Sequence, residues 1–188
     1  MKLFENKKQI EDFIHSSPDF EDTEKLISDF KTLQKERSEF YITITELERI
    51  LKWKLGKQYG RQKEIRKRND DETVKAVTKT AFSITHSNKE VETKLKLEIL
   101  SILAGVHIPV ASAILTLCFP QEYSVIDYRN WRQIYITKEK KDSYSTTEYW
   151  NYLNEIKKIA KEFNLTPQEI DLAIWQKDRT EEINNIRK

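Results

Sequence analysis

Apolar residues recur at helical spacing along most of the chain. Tyr149, Tyr152, Leu153, Ile156, Ile159, Ala160 and Phe163 fall on one helix face, as do Leu26, Ile27, Phe30 and Leu33, and again Val74, Val77 and Ala81. Several stripes are preceded by helix-start chemistry. "STTE" at 145–148 and "TPQE" at 166–169 have capping-box spacing, in which a hydroxyl and a Glu three residues on satisfy free first-turn amides. Pro167 suits the first helical position, and "TITE" at 43–46 and "SNKE" at 87–90 repeat the spacing. Gly56 predicts a stop after "LERILKWKL", and Asn69 a stop for the basic helix that follows. Runs with strand character are short: "FYITI" at 40–44, "YSVI" at 123–126 and "IYIT" at 134–137. The pattern predicts an all-α fold of nine or ten helices with no sheet, residues 1–40 forming an N-terminal helical layer on a domain spanning 41–188.

The run "LAGVHIPVASAIL" at 103–115 departs from this alternation. The chain has three glycines in 188 residues, and one stands here, four residues before a proline. The spacing predicts a helix over "LKLEILSIL" ending at Ala104, a left-handed Gly105, and a second helix opened by Pro109, whose missing N–H would be unpaired there anyway. "VASAILTLC" is apolar nearly all round and predicts a buried helix, with Ala111, Ser112 and Ala113 small enough for close crossing. Such a turn is either an ordinary helical hairpin or a phosphate-binding one, since it presents amides at a helix N-terminus. After Pro120, "SVIDYRNW" places Asp127 just before an amphipathic helix carrying Trp131 and Ile134. An Asp there caps the amides of Arg129 or Asn130, serves as a cleft carboxylate, or does both.

Charge sharpens the picture. The chain carries a net +2, but Lys52 to Arg68 hold eight basic residues and one acid, a local +7 that leaves −5 for the remainder. The stripe is either a solvated helix face or a track for phosphates. Charged residues at 34% and apolar ones at 38% suit a globular protein. "MKLFENKKQI" lacks the apolar stretch of a secretory signal and no window approaches a membrane span, so a cytoplasmic protein with no membrane partner is expected. Cys118 is the only cysteine and reads as a small buried residue in "ILTLCF". His15, His86 and His107 are scattered without metal-ligand spacing, so no metal or cofactor is expected.

Taken together, "LAGVHIPVASAIL" and "VIDYRNW" resemble the central signature of the helix-hairpin-helix DNA glycosylase superfamily (HhH-GPD). Gly105 matches its first hairpin glycine, Ala111 the small residue of its second helix, and Asp127 its cleft aspartate. "NLTPQEIDLAIWQKD" at 164–178 is similar to the closing helix of bacterial members. Two positions depart. His107 replaces the second hairpin glycine, and Pro109 stands where strand-cleaving members carry a Schiff-base lysine; no lysine lies between Lys96 and Lys138.

The resemblance implies a monofunctional hydrolase that removes a damaged or modified base from double-stranded DNA, in DNA repair, without lysine-dependent lyase activity. The alternatives are a catalytically silent DNA-binding protein on the same fold and a helical protein-interaction module. It implies Asp127 as the catalytic carboxylate, and Tyr123, Tyr128 and Trp131 as walls for a flipped base, with Tyr135 and Trp53 as further candidates. Backbone contacts would come from Gly105 and His107 of the hairpin, from Lys52, Lys54, Lys57, Arg61 and Lys63 with Arg66 to Arg68 behind them, and from Arg129 and Arg132.

Overall fold

The structure is a computed structural model that describes residues 2–138, 140, 141 and 143–186, with the side chains of 185 and 186 left aside. Among the described residues it is helical without a strand. The helices are α1 (Lys7–Ser16), α2 (Phe20–Glu36), α3 (Ile44–Leu55), α4 (Lys63–Arg66), α5 (Asp71–Ser83), α6 (Lys89–Leu100), α7 (Ile108–Cys118), α8 (Tyr128–Tyr135), α9 (Thr146–Phe163) and α10 (Pro167–Ile186), with a 3-10 segment over Gly56–Gln62. The capping boxes at Thr43 and Ser145 form, as does the reciprocal pair between Thr166 and Glu169. At the fourth, Asn88 takes the cap in place of Ser87, its side chain accepting from Glu90 and Val91 N–H.

Helix α7 is the centre of the molecule. Every residue from Val110 to Cys118 is buried, and α2, α3 and α6 pack around it. The small Ala111, Ser112 and Ala113 let the neighbours approach without opening voids. α9 lies on α6 and α10, while α8 is held between α9 and α10. The first forty residues join this body directly: α1 packs on α10 and α2 on α7, where the Gln34 side-chain amide donates to the Cys118 carbonyl at 2.6 Å.

The basic stretch is not the continuous helix its composition suggests. Gly56, at φ 48°, ends α3, and the chain tightens into the 3-10 segment before the single turn of α4. Two glycines within five residues weaken helix propagation there. Asn69 then does more than end a helix. Its side-chain amide clamps Ala104 from both sides, Nδ2 donating to the Ala104 carbonyl at 2.9 Å and Oδ1 accepting from the Ala104 N–H at 2.8 Å.

That clamp explains a second departure, because α6 ends at Leu100 and residues 101–104 proceed as turns. Gly105 has φ +78°, and a Cβ there would lie 2.9 Å from Arg66 Cγ, so both conformation and space require glycine. His107 is not left-handed. It has φ −112° as the exposed N-cap of α7, without a side-chain cap bond, so the glycine lost at this position costs no backbone strain.

Residues 123–126, which carry strand character, do form an extended segment, but no second strand pairs with it. It runs through the interior with Tyr123, Ser124, Val125 and Ile126 all buried. Side chains satisfy its backbone in place of a ladder. Tyr149 hydroxyl donates to the Ser124 carbonyl at 2.9 Å and Tyr152 hydroxyl to the Val125 carbonyl at 2.8 Å. Asp171 accepts from Val125 N–H at 2.6 Å, and Ser112 Oγ from Ile126 N–H at 3.1 Å. A buried backbone group left unpaired costs about 1–3 kcal/mol. Tyr149→Phe deletes one donor without changing the ring, and chemical denaturation is expected to show a loss in that range. A loss below about 0.5 kcal/mol would mean that the Ser124 carbonyl finds another donor.

Candidate functional site

The extended segment delivers Asp127 to the start of α8. Asp127 Oδ1 accepts from the N–H groups of Arg129 and Asn130, both at 3.0 Å, so the capping role read from the sequence is present. Its other oxygen, Oδ2, meets Lys54 Nζ from α3 at 3.4 Å. The carboxylate is not sealed in. Its side chain keeps 20% of its exposure and opens on a cleft of about 80 Å³, while Lys54 keeps 12%. The cleft is small beside the ~300–1,000 Å³ of common ligand pockets.

Four parts of the chain line this cleft. Asp19 comes from the turn before α2, Trp53 and Lys54 from the end of α3, Asp127 and Asn130 from α8 with its lead-in, and Asp171 and Trp175 from α10. Trp53 is oriented by its indole N–H, which donates to Thr23 Oγ1 at 3.0 Å. Trp175 is stacked by two cations, with the guanidinium of Arg179 5.4 Å and that of Arg129 5.8 Å from its ring. Burial pushes the Asp171 carboxyl well above the usual range, against the hydrogen bond from Val125 N–H, and the nearby Asp127 charge pushes the same way. Burial raises Asp19 as well, against the pull of Arg179.

The aromatic residues next to Asp127 in sequence lie elsewhere. Tyr123 is 2% exposed and packs on Phe119, with burial raising its hydroxyl pKa. Tyr128 lies among Arg129, Arg132 and Lys140. Trp131 and Tyr135, one helical turn apart, face a separate open groove of about 700 Å³ against α9, where Asn154, Lys157 and Lys161 also project. The helical period explains the separation. Asn130 turns inward under Asp127, which sends Trp131 round to the α9 side. Tyr123, Tyr128 and Trp131, expected as walls, therefore do not line the Asp127 cleft, whereas Trp53, the further candidate, and Trp175 do.

Arg129 and Arg132 are also engaged. Arg129 donates to Asp178 at 2.8 Å and to Glu182 at 2.7 Å, and Arg132 Nη2 donates to Asp178 at 2.6 Å. Asp178 is 1% exposed; burial pushes its carboxyl up, but hydrogen bonds from Arg132, Gln133 and Arg129 outweigh burial and hold it below its ordinary value. Freeing either guanidinium for a phosphate would leave that buried acid short of partners. Arg66 is buried too, its guanidinium over the Tyr59 ring and its stem carbons against the Gly105 turn. Lys52, Lys57, Arg61 and Lys63 remain exposed, and Lys57, Arg61 and Lys63 make no ion pair among the described residues.

The hairpin turn at Gly105 and His107 does not line the Asp127 cleft; it packs on the basic segment through Arg66 and Gln62. Trp175, Asp171 and Asp19 carried one legible signal at most. Asp171 is the charged residue inside the apolar "IDLAI" of α10, a pattern that marks an acid turned into the core. Among the described residues, no group of three or more His, Cys, Asp or Glu side chains could hold a metal ion. No helix among them is long and apolar enough to cross a membrane.

Asp171 gives the cleft a pH signature. Asp171→Asn keeps an oxygen for Val125 N–H but has no proton to lose. Because the folded pKa lies above the ordinary 3.8, the folded state binds the proton more tightly than the unfolded one, so the parent chain loses stability as pH rises above that value. Melting curves between about pH 4 and pH 8 are expected to show the variant's Tm advantage widening with pH. A constant gap would mean that Asp171 is already ionised at the lower pH. No protein-family model, curated protein or solved structure matches the chain.

Proposed function

We propose that the chain is a DNA glycosylase-like protein of the helix-hairpin-helix type that hydrolyses the N-glycosidic bond of a damaged or modified base. The observation that carries this reading is the placement of Asp127: a carboxylate fixed by a helix start, open to a cleft walled by two tryptophans. An extruded base enters the cleft that Trp53 and Trp175 line, where aromatic surface offers contact to any planar heterocycle. As the C1′–N bond breaks, its electron pair leaves with the base, and positive charge develops on the sugar beside Asp127. Water then adds at C1′, giving up its proton to Asp127 or to solvent.

The two amide bonds to Oδ1 hold the carboxylate in one orientation, and Lys54 restrains the other oxygen. Backbone binding falls to the exposed Lys57, Arg61 and Lys63, which the Arg66 contact keeps beside the Gly105 turn. A second reading has a specific observation in its favour. Both oxygens of Asp127 already have partners, which suits a catalytically silent DNA-binding protein on the same fold.

Incubation with duplexes carrying alkylated, oxidised or deaminated bases separates the two. Base release measured as abasic sites is expected from the parent chain, and Asp127→Asn is expected to lower it at least a hundredfold while leaving duplex affinity within about threefold. Duplex binding with no base released from any of these would establish the silent protein. Strand cleavage with a borohydride-trapped adduct would reassign Lys54 as a nucleophile.

The phosphate contacts have their own check. Lys57→Ala, Arg61→Ala and Lys63→Ala combined are expected to flatten the slope of log affinity against log salt by about three. An unchanged slope would remove this segment from the interface.

A further inference from the structure

One residue that lines the cleft holds a buried hydrogen-bond acceptor without a donor. Asn130 is 1% exposed, and its Oδ1 is buried with no hydrogen-bond partner. The orientation of the amide is not arbitrary. Nδ2 donates to the Asp171 carbonyl at 3.2 Å and to the Val125 carbonyl at 3.4 Å, and both are acceptors only, so the nitrogen must face them and the oxygen must face away. Its backbone N–H is spent on Asp127, one of the bonds that fix the carboxylate. Asn130 thus lies one hydrogen bond from Asp127 and lines the same cleft.

The other groups at the cleft point to the same chemistry. Asp19 and Asp127 bring carboxyl oxygens, the Lys54 ammonium that lines the cleft is engaged by Asp127, and Asp171 is spent on Val125 N–H. A cleft so rich in acceptors is complementary to a ligand edge that carries N–H donors. An edge that presented only carbonyl oxygens would set lone pairs against lone pairs and leave the Asn130 oxygen unmatched. Native proteins pair nearly all their buried polar atoms, so an orphaned oxygen at a candidate site asks for a ligand donor.

We infer that Asn130 Oδ1 is a specificity-determining acceptor that reads an exocyclic N–H group on the edge of the received ring, so that the ligand is a nucleobase bearing an exocyclic amine. The inference rests on the reading of the Trp53–Trp175 cleft as a base pocket and adds the class of base that it prefers.

Free methylated bases test it without any glycosidic bond to cleave, so the outcome is independent of catalysis. 9-Methyladenine has the exocyclic amine as its only donor, and 9-methylpurine has none; 1-methylcytosine and 1-methylpyrimidin-2-one form the corresponding smaller pair. Titrated into the 15N-labelled protein, the amino member of at least one pair is expected to bind at least tenfold more tightly, about 1.4 kcal/mol. The indole N–H signals of Trp53 and Trp175 should move, and those of Trp131 and Trp150 should stay.

Asn130→Leu is expected to level the pair, and the Val125 carbonyl keeps the Tyr152 hydroxyl in that variant. Equal binding within both pairs by the parent chain would overturn the inference, meaning that the oxygen is satisfied from inside the protein, as by a protonated Asp171. Binding of neither member of either pair at millimolar concentration would overturn it too. Base release from duplexes, measured separately, would stand or fall on Asp127 alone.

Discussion

Burying an extended stretch of backbone without a sheet is the constraint on which the rest of this structure depends. Residues 123–126 cross the interior between α7, α9 and α10, and their amides and carbonyls would be ruinously desolvated unless each neighbouring helix supplied a partner. The partners are Ser112 on α7, Tyr149 and Tyr152 on α9, and Asp171 on α10. These polar side chains sit on otherwise apolar faces, and each bonds only if its helix is in one rotation and one register. The segment therefore does for the helices what a shared strand does for a sheet. It also ends at Asp127, so the most tightly specified backbone in the molecule terminates in the acid at the cleft.

Helix positions were legible because their causes are local. A capping box and a 3.6-residue stripe lie within a few turns of sequence, and the boxes at Thr43, Ser145 and Thr166 form accordingly. Gly105 was legible for the same reason, although the contact that also demands it, with Arg66, was not. What sequence proximity misjudged was the cleft wall. Tyr123, Tyr128 and Trp131 are near Asp127 along the chain but project at different angles from it, whereas Trp53 and Trp175 arrive from helices that meet only in the folded state. Asp171 announces itself as an acid within an apolar run, but not which amide it serves.

The distribution of charge follows a similar division between composition and placement. Eight basic residues between Lys52 and Arg68 suggested one stripe, yet they separate into roles. Arg66 is a packing element whose stem fills the space under a glycine, and Lys54 turns inward to Asp127. Lys52, Lys57, Arg61, Lys63, Lys67 and Arg68 stay exposed, and the segment is held next to the hairpin because Arg66 and Asn69 tie it to residues 104 and 105. Arg129 and Arg132 belong instead to the buried acid Asp178, where they join α8 to α10 and keep the cleft's third side in place.

A helix cap and a reactive carboxylate make compatible demands on Asp127. The cap uses one oxygen and fixes the side-chain rotamer, and the bonds it accepts come from amides at the start of α8. The second oxygen meets Lys54 at a distance long enough to be weak. Under the proposed glycosylase reading, a cationic sugar formed beside it would compete with that ammonium for the same lone pairs, and at 3.4 Å the Lys54 contact is the weaker one to displace, the two 3.0 Å bonds at Oδ1 staying in place. Under that reading Lys54 would be a placeholder charge, compensating Asp127 in a half-buried cleft until positive charge appears on the ligand.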